Sequence, residues 1–165
     1  MYIPVQLNEH EWDYGLHLGC VQQKESVKRN LRKDAHGLEE DADCLGLNTE
    51  GLLAEIAACK GLGIYYEPRI NNHKKKADVG KNYEIRSTPN HNYKLIIRPD
   101  DNPQRYYILI TGEAPNYRLH GYIKGSDAMK HDEWREDPND RPEAWFVPKR
   151  YLRPIEELKG RIHKT

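Results

Sequence analysis

Residues 2–7 alternate apolar and polar side chains, the period of a short strand with one buried face. Asn8 follows, three residues before Glu11, a spacing at which each can cap the start of the same helix. Trp12, Leu16 and Leu18-Gly19-Cys20 supply its apolar positions, and the pattern predicts a helix continuing to about Lys33. Its later half carries Lys24, Lys28, Arg29, Arg32 and Lys33, which form either a solvated face or a phosphate-contacting one. The acidic residues 36–48 read as a loop. A second helix is predicted from about Thr49 to Lys60, capped by Asn48 or Thr49 and stopped near Gly61 and Gly63. Its apolar stripe is Leu52, Leu53, Ile56 and Cys59.

The pattern then changes to short strand-like segments at 77–79, 83–88, 93–98, 106–111 and 117–124, separated by Gly, Pro, Asn and Asp. A short helical piece and a Pro-rich charged loop around 137–142 follow, and a last helix is predicted over 155–162. Strands in series after helices imply an α/β (α+β) domain with a mixed central β-sheet flanked by helices. The N-terminal helices should pack on one face, with the hairpin around residue 80 at the open edge. The expected organisation is one domain over 1–165, with an N-terminal helical region of about 1–47 and a core of about 48–158.

Composition narrows the class. The chain of 165 residues is long enough to bury a core, with 37% hydrophobic and 32% charged residues. The formal charge of zero argues against a uniformly basic nucleic-acid coat, but leaves room for a local basic groove balanced by metal-binding carboxylates. No apolar run approaches the ~20 residues of a membrane span. Residues 1–5 show neither a basic leader nor an apolar signal core, and the three cysteines, Cys20, Cys44 and Cys59, form no C-x-x-C pair. The expectation is a cytoplasmic protein without membrane contact. Eleven tyrosines against one phenylalanine, many in strand contexts, point to half-buried sheet faces.

Candidate chemistry concentrates in Ala77-Asp78-Val79-Gly80-Lys81-Asn82-Tyr83-Glu84-Ile85-Arg86. Gly80-Lys81-Asn82 reads as a tight turn. If Val79 pairs with Tyr83 across it, Asp78 stands opposite Glu84, with Cβ atoms ~5 Å apart. Alternation puts Glu84 and Arg86 on one face, Tyr83 and Ile85 on the other. Two carboxylates held together repel unless one protonates or a cation bridges them, and a hard divalent ion is the simplest bridge. An exposed polar hairpin whose charges never converge is the competing interpretation. Glu55 borders the apolar stripe of the second helix, where a carboxylate is costly unless paired or metal-linked; a salt-bridged residue at the stripe edge would serve as well.

The order of a helical Glu55, then Asp78, then Glu84-Ile85-Arg86 resembles the PD-(D/E)XK nuclease superfamily, and residues 95–98, 107–111 and 119–122 resemble later strands of its uncharacterised phage and prophage members. The resemblance covers roughly 48–158. It implies a restriction-endonuclease-like fold and metal-dependent hydrolysis of DNA phosphodiester bonds. Asp78, Glu84, the Ile85 carbonyl and Glu55 would hold Mg²⁺, with Mn²⁺ as a substitute. Arg86 occupies the usual lysine position; permanently protonated, it can steady phosphate charge but cannot act as a base. Lys60 or Lys94 could supply the lysine. The expected partner is DNA, whether single-stranded, double-stranded or branched, and a homodimer is compatible. The alternatives are a nucleic-acid-binding module without cleavage, using the basic helix and loop 71–76, and a phage-type accessory protein acting through protein contacts.

Other groups read as structural. His10, His17 and Cys20 share a helical face but are sparse as ligands. His91-Asn92 fits turn chemistry, His120 fits a packed strand position, and Asp100-Asp101 closes a strand with a supporting role near the site as the sharper option. No nucleotide-binding glycine motif is present.

Overall fold

The computed structural model describes residues 1–28, 41–68, 77–137, 142–159 and 161–162, and the side chains of all these except 25–28 and 41–48. After strand β1 (Ile3–Gln6), Asn8 and Glu11 cap the first helix reciprocally, the Asn8 amide donating to Glu11 Oε1 and the Glu11 amide to Asn8 Oδ1, each at 2.8 Å. This helix, α1, spans Glu9–Lys28. The expected extension to Lys33, with Arg29 and Arg32, lies outside the described residues, as does the loop 71–76.

Helix α2 spans Asp41–Leu62, so residues 41–48 are helical and the loop reading over them is corrected. Acidic residues are favoured in the first turns of a helix by its dipole, so a run that looks like solvated loop is equally compatible with a helix start. Asn48 and Thr49 therefore lie inside the helix and do not cap it. Its C-terminus follows expectation. Gly63 takes the left-handed conformation (φ 71°). The Gly63 amide donates to the Lys60 carbonyl at 3.1 Å and the Ile64 amide to that of Cys59 at 3.0 Å, a Schellman closure.

The two helices cross on glycines. On α1 the buried positions are Gly15, Leu18 and Gly19, while Trp12 (37%) and Leu16 (45%) are exposed. A Cβ on Gly15 would stand 2.4 Å from Leu53 Cδ2, and one on Gly19 2.4 Å from Thr49 Oγ1. Close approach at the two glycines, with Leu18 buried alongside them, makes this interface.

The main sheet has the order β1-β5-β4-β2, with β2 (Tyr83–Thr88), β4 (Tyr106–Glu113) and β5 (Asn116–Lys124). β2 runs parallel to β4, and the other pairs are antiparallel, so the sheet is mixed as expected. β4 and β5 are joined at Ala114–Pro115, a cis peptide. A second sheet, unanticipated from the pattern, is built from β3 (Leu95–Ile97), β6 (Arg135–Glu136) and β7 (Ala144–Val147) in the order β3-β7-β6. The two-residue strand β8 (Arg153–Pro154) pairs with β5 beyond β1. There are also two short α-helices, α3 (Gly125–Ala128) and α4 (Glu156–Lys159), and 3-10 turns at Asp132–Trp134 and Lys149–Tyr151; the last helix expected over 155–162 is regular at Glu156–Lys159.

The main sheet is buried on both sides. One face, with Tyr83, Ile108, Ile110, Leu119 and Tyr122, packs against Leu52, Leu53, Ile56 and Cys59 of α2. The other, with Tyr107, Leu109 and Ile123, packs against Leu95, Ile97, Val147 and Trp134. Among the described residues no helix is long and apolar enough to cross a membrane.

Gly15→Val should destabilise the protein by about 1–3 kcal/mol through overpacking at the helix crossing. Gly51→Ala, where an added Cβ meets nothing within 4 Å, should stabilise it by about 1 kcal/mol through helix propensity alone. Urea unfolding of the two variants checks the pair.

Candidate functional site

The hairpin forms as its spacing requires. Val79 and Tyr83 exchange both backbone hydrogen bonds, at 3.0 and 3.2 Å, across a turn in which Gly80 has φ 58°. Both side chains enter the core beneath α2, which turns Asp78 and Glu84 together to the opposite face. Asp78 Oδ2 accepts the Ile85 amide at 2.8 Å, and the Glu84 carboxyl hydrogen-bonds to Asp78. β2 is an edge strand: the Tyr106 amide donates to the Asn82 carbonyl at 2.8 Å, so alternate residues from Asn82 onward face β4. Ile85 therefore faces the free edge, with its carbonyl on the same side as its Asp78-bound amide.

Pairing with β4 surrounds the two carboxylates with further groups. Glu84 lies level with Tyr107, and Arg105, one residue before β4, forms an ion pair with Glu84. Arg86 lies 5.1 Å from the centroid of the Tyr107 ring, and its Nη2 donates to Asp101 Oδ1 at 2.6 Å. Asp101 also closes its own turn, Oδ2 accepting the Arg98 amide at 2.8 Å. Arg86 Nε is buried without a hydrogen-bond partner. The Glu84 side chain is 15% exposed, and burial, reinforced by the Asp78 charge and hydrogen bond, pushes its pKa up to about 7 against the opposing pull of Arg105. Burial and the Asp101 carboxylate likewise raise the Tyr107 hydroxyl to about 12.

The other expected site residues are placed elsewhere. Glu55 belongs to α2, the layer on the far side of the sheet from Glu84, and accepts a hydrogen bond from Tyr66 Oη at 3.3 Å. Lys60 donates to the Gln6 carbonyl at 2.7 Å and pairs with Glu11 at 2.6 Å, tying α2 to the start of α1. Lys94 pairs with Glu136 of the second sheet at 2.9 Å. The expected cluster thus separates: Asp78, Glu84, Ile85 and Arg86 are together, while Glu55, Lys60 and Lys94 have other partners. Among the described residues no three of His, Cys, Asp and Glu gather as a metal-holding group. His10, His17 and Cys20 are exposed on α1.

Arg105 and Tyr107 were not found by sequence reasoning. Both are delivered by parallel pairing of strands that are not neighbours in the chain, and no local pattern encodes that. Asp101 closes the turn that its place between Pro99 and Pro103 suggests, and also pairs with Arg86.

The donor set at the β2 edge fits a hard cation in part. Asp78, Glu84 and the Ile85 carbonyl offer oxygen from adjacent backbone positions, and two carboxylates sharing a proton are a pair that a divalent ion could bridge instead. Without Glu55, the remaining positions would fall to water, as is usual for Mg²⁺. No protein-family model, curated protein or solved structure matches the chain.

Because the folded protein holds the Glu84 proton more tightly than the unfolded chain, this group's contribution to stability is present in full below the ordinary carboxylate range. It is lost as pH rises through about 7. In EDTA, Glu84→Gln should therefore raise the melting temperature at pH 8, with a gain that shrinks toward pH 5. Thermal melts at both values test this, and an unchanged difference would detach Glu84 from the pH response.

Proposed function

We propose that this protein is a metal-dependent hydrolase of DNA phosphodiester bonds, built on a PD-(D/E)XK-like arrangement, with Mg²⁺ held by Asp78, Glu84 and the Ile85 carbonyl. The observation that carries the reading is the convergence of Asp78 and Glu84 at the free edge of β2, beside two arginines. When bound, the ion would polarise the phosphodiester and lower the pKa of a coordinated water.

The chain's own residues have distinct parts in this scheme. Asp78 and Glu84 must both be ionised to hold a cation, so Glu84 gives up its shared proton on loading. Arg105, paired with Glu84, and Arg86, paired with Asp101, are the guanidinium groups beside the pair and would supply charge-assisted hydrogen bonds to phosphate oxygens. The Tyr107 ring lies beneath Arg86, its centroid 5.1 Å from the guanidinium carbon.

A second reading, binding without cleavage, is favoured by one observation: the expected lysines, Lys60 and Lys94, are paired elsewhere, and Arg86 stands in the lysine position.

Cleavage of single- and double-stranded DNA with Mg²⁺, Mn²⁺ or EDTA discriminates these. The nuclease reading expects metal-dependent cutting that falls by about 100-fold or more in Asp78→Asn and Glu84→Gln. Glu55→Gln, on the other side of the sheet, should retain cutting and metal binding. Unchanged cleavage in both hairpin variants would remove the site assignment, and a Mg²⁺-induced rise in melting temperature without cutting would support the binding reading.

A further inference from the structure

Thr111 is the polar residue most completely withdrawn from solvent among the described residues, at 0% exposure, and its hydroxyl has a histidine on each side. His91 Nδ1 lies 2.7 Å from Thr111 Oγ1, and His120 Nε2 lies 2.7 Å from the same atom. A threonine hydroxyl carries one proton, so it donates to one imidazole and accepts from the N–H of the other. With both rings neutral, the pair presents one N–H and one bare nitrogen at its outer ends, and the orientation of the hydroxyl decides which ring presents which.

The sheet is shaped to bring these rings together. The register of β4 and β5 slips between Leu109 and Ile110, so Gly121 and Leu119 have partners while His120 is the extra residue, re-aimed onto Thr111. His91 approaches over Gly112, which has φ 114° and where a Cβ would stand 2.4 Å from the Asn116 carbonyl oxygen and 3.2 Å from His91 Cε1. Lys149 donates from the far side to the His91 carbonyl. Arg118, the β5 partner of Thr111, lies 4.7 Å from the centroid of the Tyr2 ring, which itself meets the His120 ring edge-on at 5.7 Å.

The charge around this relay is of one sign. Arg118 and Lys149 form no ion pair with a carboxylate among the described residues. Burial, then Lys149, His91, Arg118 and the amino group of Met1, depress the His120 imidazole to about 4. Burial and Arg118 also lower Lys149. Cations that converge without a carboxylate repel one another, and an anion placed among them relieves that repulsion.

We propose that Arg118, Lys149, His91 and His120 form a binding site for a phosphate-type oxyanion, with Thr111 as a positioning residue that sets which imidazole nitrogen donates to it. The site lies on the same face of β4 as the Asp78–Glu84 pair, at the opposite end and beyond Leu109. It stands whether or not that pair cleaves DNA. A free phosphate or phosphomonoester and a backbone phosphate of nucleic acid offer the same chemistry.

The test is an NMR titration of the imidazole Cε1–H signals of the intact protein. One arm uses inorganic phosphate, the other a thymidine oligonucleotide without terminal phosphates. Saturable shifts of His91 and His120 are expected, weakened about tenfold by Arg118→Gln and by Lys149→Gln, each the loss of one charge-assisted contact. Response to inorganic phosphate assigns a free-phosphate site, and response to the oligonucleotide alone assigns a backbone site. Thr111→Val should weaken binding where Thr111→Ser preserves it, and equal affinity in the two would remove the hydroxyl's role. No shift with either probe, or shifts indifferent to Arg118→Gln and Lys149→Gln, would overturn the site.

Discussion

Residues Tyr107 to Thr111 of β4 are buried against two different layers at once, and the arrangement of the protein follows from that double burial. Ile108 and Ile110 point into the helical layer, Tyr107 and Leu109 into the core shared with the second sheet. A strand with apolar partners on both faces cannot shift by one residue without moving every side chain into the wrong layer. Its register with β2 on one edge and β5 on the other is thereby held. Both polar clusters inherit their positions from this strand, one around Tyr107 and the other around Thr111.

The two clusters solve different electrostatic problems. Around Tyr107, carboxylates and guanidinium groups alternate: Arg105 with Glu84, Arg86 with Asp101, and Asp78 against Glu84. Three carboxylates meet two guanidinium groups there, with Asp78 and Glu84 held side by side. Around Thr111, cations meet the His120 imidazole, which burial and those cations keep neutral. The excess there is positive, suited to an anion. Leu109 lies between them on the same face of β4. A formal charge of zero over the chain conceals this division entirely.

Much of the architecture could be read locally. The strand expected over 83–88 is β2, residue for residue, and those over 106–111 and 117–124 fall within β4 and β5. The capping pair Asn8–Glu11 and the Gly63 stop also follow from short-range chemistry. The buried face of α1 was legible only in part: Leu18 and Gly19, read among its apolar positions, are buried, but so is Gly15, which carries no hydrophobic signal, while the apolar Trp12 and Leu16 face outward. The helical start of α2 was hidden by its acidic composition, and the second sheet by the shortness of β3 and β6.

For the candidate site the division is the same. A tight turn and two-residue alternation are properties of adjacent residues, so the sequence by itself determined that Asp78 would oppose Glu84 and that Arg86 would share their face. Which layer Glu55 occupies, where Lys60 and Lys94 find their partners, and the arrival of Arg105, Asp101 and Tyr107 depend on contacts between distant segments. So does the meeting of His91 and His120 on Thr111, which needs a register slip in one strand pair and a glycine, Gly112, at the next position of β4. Those were decided by tertiary structure alone, because pairing between strands far apart in the chain is selected by burial of whole faces and leaves no mark on the spacing of neighbouring residues.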